Sequence, residues 1–164
     1  MEATLYRPNA GIIIFNKEGK LLWCKRKTGD GWQFPQGGID EGETPENAIY
    51  REAYEEVGLA KDKIKIIKEN EKWIKYDVPK EKIPRYFSFK NRKFKGQSQK
   101  WFLGQFLGQD NDIDLTVHNQ IEFTEWIWAS YWHPVSAGVD FKKNAYRQVL
   151  TDFLPFYKDQ MRVY

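Results

Sequence analysis

The chain has 164 residues and a single cysteine, Cys24. An internal disulfide is therefore excluded, and one thiolate cannot build a metal site. Histidine is nearly as scarce: His118 and His133 are the only two, and lone histidines of this kind are expected to be structural or solvated. No apolar run approaches the roughly 18 residues of a membrane-spanning helix. The first residues, MEATLYRPNAGIIIF, lack a basic stretch followed by a long apolar one. No signal peptide is expected, and the expected compartment is the reducing cytoplasm. Internal repeats and low-complexity linkers are also missing.

What is present fits one domain over residues 1–164, with a C-terminal tail from about residue 155. Hydrophobic residues make up 41% and charged residues 30%, which suits a globular chain with one sizeable core. Seven tryptophans are expected mainly to fill that core, with stacking on a ligand as their other use. Charge is unevenly spread. Residues 37–59, GGIDEGETPENAIYREAYEEVGL, hold seven acids against Arg51 alone, a net of −6 that leaves +9 elsewhere in a chain of net +3. An acidic centre in a basic surround suits a polyanionic substrate whose phosphates are bridged by cations.

Patterning outlines the elements. Gly11–Phe15 and Leu21 onward flank a turn at Gly19 and read as a hairpin. Trp32–Phe34, Ile64–Lys68, Trp73–Tyr76, Lys100–Leu107 and Glu125–Trp128 read as further strands. Thr44 and Pro45 have the chemistry of a helix cap and first helical residue, and Gly58 that of a stop. Between them Ile49, Ala53 and Val57 form a core-facing stripe. A last helix is expected from about Phe141 to Leu154, ended by Pro155. Strands mixed with two helices predict an α/β fold with helices flanking a mixed sheet.

Glu52, Glu55 and Glu56 fall three and four residues apart, on one face of the first helix. They lie toward its C-terminal end, where the helix dipole disfavours anions, and they repel one another. A divalent cation would reverse both penalties. Oxygen donors without paired His or Cys point to Mg²⁺, with Mn²⁺ as an accepted substitute, rather than zinc.

The same segment resembles the Nudix box, Gly-x5-Glu-x7-Arg-Glu-U-x-Glu-Glu-x-Gly-U. Its positions are Gly37, Glu43, Arg51, Glu52, Ala53, Glu55, Glu56, Gly58 and Leu59. Seven fixed positions make a chance match about 10⁻⁸ per starting position at ordinary residue frequencies. Ala53 is smaller than the usual aliphatic residue there. Tyr6-Arg7-Pro8-Asn9, Trp32 to Gly38, Gln99-Lys100-Trp101-Phe102 and Ser130-Tyr131-Trp132 extend the similarity to about Leu154. They resemble the bacterial RNA pyrophosphohydrolase branch, which overlaps with dinucleoside polyphosphate hydrolases.

That resemblance implies an α/β/α sandwich around a central mixed sheet. It also implies attack by water on a phosphorus, assisted by two or more Mg²⁺. Glu52, Glu55 and Glu56 would be metal ligands, joined by the carbonyl of Gly37 and by Glu122, which stands just before Phe123-Thr124-Glu125-Trp126-Ile127-Trp128. One carboxylate would take the proton of the attacking water. Arg51 is expected to pair with Glu43 and brace loop and helix. Arg7, Arg26, Gln33 and Lys100 would contact phosphates or the 5′ nucleotides, and Val139, Phe141 and Lys142 would form a base-stacking site. Lys80–Lys100, with eight cations, Tyr86, Phe87, Phe89 and Phe94, suits a phosphodiester backbone. Ser98 departs from the basic residue of the branch's Gly-Gln-x-Gln-Lys.

The expected partner is thus an RNA 5′ end or a dinucleoside polyphosphate, with no membrane and no stable protein partner. The box cannot choose between the two substrates. A non-catalytic binding domain is disfavoured because all four box glutamates are kept.

Overall fold

The computed structural model describes residues 5–29, 31–83 and 94–162. Its strands are β1 (Tyr6–Phe15), β2 (Leu21–Arg26), β3 (Trp32–Gln33), β4 (Gln36–Gly38), β5 (Ile64–Glu69), β6 (Ile74–Asp77), β7 (Gly96–Phe106) and β8 (Phe123–Ala129). Its helices are α1 (Pro45–Val57), α2 (His133–Ala137) and α3 (Asp140–Met161). Among the described residues the strands form one sheet. Its centre is a parallel pair, β1 and β7, in register from Tyr6↔Gly96 to Phe15↔Gln105. The other pairings, β1 with β2 and β4, β2 with β3 and β8, and β7 with β5 and β6, are antiparallel.

The period of two along a strand sorts side chains between two cores. Ala10, Ile12 and Ile14 of β1, with Leu22 and Cys24 of β2, face Ile49, Ala53 and Val57 of α1. Ile13, Phe15 and Trp23 face the other way, onto Tyr146, Val149 and Phe153 of α3. Each stripe on the sheet thus meets the apolar stripe of one helix, which gives an α/β/α sandwich. β1 is buried on both faces and reads as a continuous apolar run, as central strands do.

Gly11 sits opposite Trp101 in the parallel register. A Cβ there would meet the buried indole ring at 2.6–2.8 Å. Gly11→Ala is therefore expected to overpack the core and destabilise the fold by about 1–3 kcal/mol. Thermal unfolding at fixed pH checks it, and an unchanged Tm would show that Trp101 can retreat.

The last helix departs from the expected end at Leu154. It runs through Pro155 to Met161. Proline removes one backbone donor and disfavours continuation, yet contacts beyond it hold the helix. Tyr157 donates to the Gly19 carbonyl at 2.6 Å and packs edge-on to Phe15, with ring centroids 5.7 Å apart. α2 is a further element that patterning missed, being a single turn. The expected strands otherwise recur with shifted ends; β7 begins four residues before Lys100. Of the basic aromatic segment, residues 84–93 lie outside the described residues.

Candidate active site

α1 begins as its sequence demands. The Thr44 hydroxyl accepts the Asn47 N–H at 3.1 Å, and Pro45 takes the first helical position. Gly58, at φ 73°, closes it in the left-handed conformation. No basic residue occupies the last turn, so no cation there offsets the dipole beneath Glu55 and Glu56. Glu56 lies next to the buried stripe and is 4% exposed. Its carboxylate accepts the Gln36 backbone N–H at 2.8 Å, tying the helix to β4.

Arg51 organises the opposite side. Nε and Nη2 donate to the two carboxylate oxygens of Glu43 at 2.8 and 2.9 Å. Nη2 also donates to the Gly38 carbonyl at 2.9 Å, and Nη1 donates to Glu52 at 2.8 Å and Glu55 at 3.4 Å. The hydrogen bonds from Arg51 hold Glu43 down to about 2, so this pair stays ionised throughout the working range. It locks the β4–α1 loop onto the helix with the rigidity of a forked contact.

Burial sets the remaining carboxylates apart. It pushes Glu52 up to about 7, Arg51 opposes the shift, and Glu55 and Glu122 reinforce it. Burial also raises Glu56 well above the carboxylate range, helped by the charges of Glu52 and Glu122. These groups face one another across two adjoining cavities. One, of about 250 Å³, is lined by Glu52, Glu56, Glu122, Gly37 and Gly38, and by Arg7, Arg26 and Gln33. The other, of about 190 Å³, lies between Glu52, Glu55, Glu56 and Glu122 and the loop carrying His118 and Gln120. A larger cavity of about 600 Å³ beside Lys17, Phe106, Asp110 and Trp128 has no buried charged group, which makes the smaller two the candidate site.

The structure brings nine of the expected residues to these two cavities: Arg7, Arg26, Gln33, Gly37, Glu52, Glu55, Glu56 and Glu122 line them, and Arg51 binds two of the carboxylates. Three expectations need revision or refinement. Lys100 does not reach the cavities. Its ammonium donates to the Glu71 carbonyl at 3.1 Å, pairs with Glu69 at 3.6 Å and lies over the Trp73 ring, because its place on β7 sets it beside the β5–β6 connection. Lys142 is 1% exposed and donates to Gln33 Oε1 at 2.8 Å, so it acts on the pocket through Gln33 instead of offering an open contact. Burial lowers its pKa well below that of a free lysine. Phe141 is half-buried, 5.9 Å from the Tyr76 ring, and Val139 caps α3 beside Gly31.

A buried amide network went unnoticed in the sequence. Gln99 Nε2 donates to Asn9 Oδ1 at 3.0 Å and to Gln36 Oε1 at 2.8 Å, while Trp101 Nε1 donates to Gln99 Oε1 at 3.1 Å. The Tyr76 hydroxyl donates to Gln97 Oε1. Asn9, Gln36 and Gln97 form part of the pocket wall. The signal was available: Gln97 and Gln99 alternate in step with Trp101 and so face the same core.

Comparison with known proteins decides the family. The NUDIX domain model matches residues 5–153. The chain belongs to the Nudix family. An RNA pyrophosphohydrolase of Mannheimia succiniciproducens is 44% identical over 94% of this chain and 77% of its own length. One from Hydrogenovibrio crunogenus is 47% identical over 93% and 90%. Among solved structures, a C. elegans Ap4A hydrolase covers 90% of this chain and 98% of its own, at TM-score 0.63 and 20% identity. The E. coli dihydroneopterin triphosphate pyrophosphohydrolase covers 90% and 99%, at TM-score 0.66 and 19% identity. These likenesses show the Nudix fold.

Nudix proteins generally depend on divalent metal, and the donor set here fits a hard cation. It consists of carboxylate and carbonyl oxygens, one of them buried, crowded at a negative helix end. The glycine at position 37 makes room for it: a Cβ there would overlap the Glu52 carboxyl group. Among the described residues no three His, Cys, Asp or Glu side chains already converge as a ready cluster. The hydrogen bonds explain this, since Glu52 and Glu55 turn to Arg51 and Glu56 to Gln36. Glu52, Glu55, Glu56 and Glu122 line one cavity all the same.

Proposed function

We propose that this Nudix chain is an Mg²⁺-dependent pyrophosphohydrolase that trims the 5′-triphosphate or diphosphate end of RNA to a 5′-monophosphate, marking the RNA for decay. The observation that carries the reading is that one cavity joins the carboxylates of Glu52, Glu56 and Glu122 to the guanidinium groups of Arg7 and Arg26. Phe141 packs on Tyr76, whose hydroxyl bonds Gln97 of the same wall. The names of the bacterial relatives support it.

Bound Mg²⁺ supplies positive charge against the transferred phosphoryl group and makes a water acidic enough to attack. Glu52, Glu55, Glu56, Glu122 and the Gly37 carbonyl would hold it. One of the glutamates takes the proton of the attacking water. Arg51 and Glu43 keep the loop and helix in fixed relation. Arg7 and Arg26 bind the rest of the polyphosphate. Phe141, half-buried beside Tyr76, would offer its exposed part to a base.

A dinucleoside polyphosphate is the competing substrate, because the same carboxylates serve both anhydrides. Comparing kcat/KM for triphosphorylated RNA and diadenosine tetraphosphate tests the reading. RNA is expected to be preferred, and preference for the dinucleotide reverses the assignment. Phe141→Ala is expected to raise KM for RNA by about 10-fold, as loss of one stacked base predicts, with kcat held within about twofold. An unchanged KM would make Phe141 a packing residue of Tyr76 alone.

A further inference from the structure

The connection from β7 to β8, residues 107–122, crosses the C-terminal end of α1 and is fastened there. The Asp114 N–H donates to the Val57 carbonyl at 2.9 Å, and the Asp114 carbonyl packs so closely on Gly58 that a Cβ would meet it at 2.6 Å. Ile113 is buried in the α1 core. Asp114 Oδ1 accepts the Thr116 N–H at 2.8 Å and its hydroxyl at 2.6 Å, which sets the turn that follows. At the far end, the Lys27 N–H donates to the Glu122 carbonyl at 2.8 Å. The loop is pinned on both sides of His118.

This arrangement sets His118 on the wall of the 190 Å³ cavity, opposite Glu52, Glu55, Glu56 and Glu122. Four of the six lining side chains are carboxylates and only accept when ionised. His118 and Gln120 are the lining side chains that can donate. The imidazole has a defined orientation, because Nδ1 accepts the Gln120 backbone N–H at 3.3 Å. In the neutral ring Nδ1 is then the acceptor and the proton resides on Nε2. Nδ1 is occupied, and Nε2, carrying the proton, has no lone pair for a cation. The exposed ring thus presents a donor at the edge of the site.

A polyphosphate entering this pocket brings non-bridging oxygens next to carboxylates. Cations held by the α1 glutamates would neutralise part of the negative charge. Oxygens that face the β7–β8 connection need a donor. An imidazole N–H fills that need without the disadvantage of a lysine, whose full charge would compete with the cation for the glutamates. We propose that His118 is a further substrate-contacting residue, donating its Nε2–H to a non-bridging oxygen of the phosphoryl group under attack. The inference rests on the reading that a polyphosphate is cut at this cluster. His118 lies outside the Nudix box, and nothing in its sequence neighbourhood marked it.

A hydrogen bond to a charged oxygen that strengthens in the transition state gives about a tenfold effect. His118→Ala is expected to lower kcat about tenfold on both triphosphorylated RNA and diadenosine tetraphosphate, leaving Tm and the Mg²⁺ concentration for half-maximal rate within twofold. His118→Gln, which places an amide N–H near the position of Nε2, is expected to recover at least half of that loss. A second readout needs no turnover. The chain has two histidines, so imidazole ¹H–¹⁵N spectra contain two ring systems. Saturating the Mg²⁺-loaded protein with a methylene-bridged triphosphate should shift the His118 Nε2 signal and leave that of His133, which stands beside Trp23, in place. Activity of H118A within twofold of wild type, a loss that H118Q does not recover, or a His118 signal unmoved at saturation each overturns the proposal. If the wild type cleaves neither substrate, the functional reading fails, while the shift still decides whether His118 meets phosphate.

Discussion

Glu56→Gln is expected to lower kcat/KM by about 10²–10³-fold, the equivalent of a few kcal/mol of lost charge stabilisation, while making the metal-free protein more stable above pH 7. Two properties of Glu56 conflict in the resting fold. It is buried, which raises its pKa well above the carboxylate range, and the charges of Glu52 and Glu122 push the same way. An acid whose folded pKa is raised holds its proton more tightly when folded. Its stabilising share is therefore complete at low pH and is lost as pH rises from the unfolded pKa through the folded one. For Glu52 that window runs from 4.5 to about 7; for Glu56 it likewise runs upward from 4.5. The wild type in a chelator should be more stable at pH 6 than at pH 8, and Mg²⁺ should restore stability at pH 8 by binding the folded form. In the Gln variant the pH slope and the Mg²⁺ increment should both shrink. Thermal unfolding with and without Mg²⁺ at the two pH values, beside steady-state rates, checks all of this. A variant that loses activity but keeps the full Mg²⁺ increment would remove Glu56 from the metal site.

Gly37→Ala is expected to be nearly as damaging, by a different route. The new methyl group would overlap the carboxyl of Glu52, which Arg51 holds at 2.8 Å. Glu52 can swing aside at little cost to the fold but leaves its working position, so activity should fall by about 10²-fold or more, since misplacement of about 1 Å suffices. Gly38→Ala makes an informative control. There the Cβ meets the guanidinium end of Arg7, a long side chain with room to move. The expected effect is a rise of a few-fold in KM with kcat preserved. Rates for the two variants across substrate concentration separate the outcomes. If G37A keeps wild-type kcat, Glu52 is not confined as described.

Much of the site was legible in the sequence because its parts are local. Thr44, Pro45 and Gly58 fix the ends of α1, and the spacing of Glu52, Glu55 and Glu56 fixes their face. The two-sided burial of β1 shows in its apolar run, and the mixed sheet follows from the alternation of strands and helices. The parts that depend on distant partners were less legible. Lys100 was expected at the phosphates on resemblance, but the neighbouring β5–β6 connection takes it up through Glu69 and Glu71. The continuation of α3 past Pro155 is set by Tyr157 meeting Gly19 and Phe15, 138 residues away in the first case. Burial of Lys142 against Gln33 and the linkage of Asn9, Gln36 and Gln99 exist only once β1, β4, β7 and α3 assemble. His118 owes its position to a loop pinned at Val57 and Lys27, and no local pattern encodes that.

The glutamates of α1 are proposed to form a cation-dependent centre that cuts a 5′ polyphosphate. The most direct test is to incubate the protein with triphosphorylated RNA, with Mg²⁺ or with chelator, and to score the 5′ ends formed. The expected result is 5′-monophosphate ends with Mg²⁺, none with chelator, and formation about 10²–10³-fold slower with Glu56→Gln at the same enzyme concentration. Monophosphate ends formed at an undiminished rate by Glu56→Gln, or none formed by the wild type at micromolar concentration, would contradict that role.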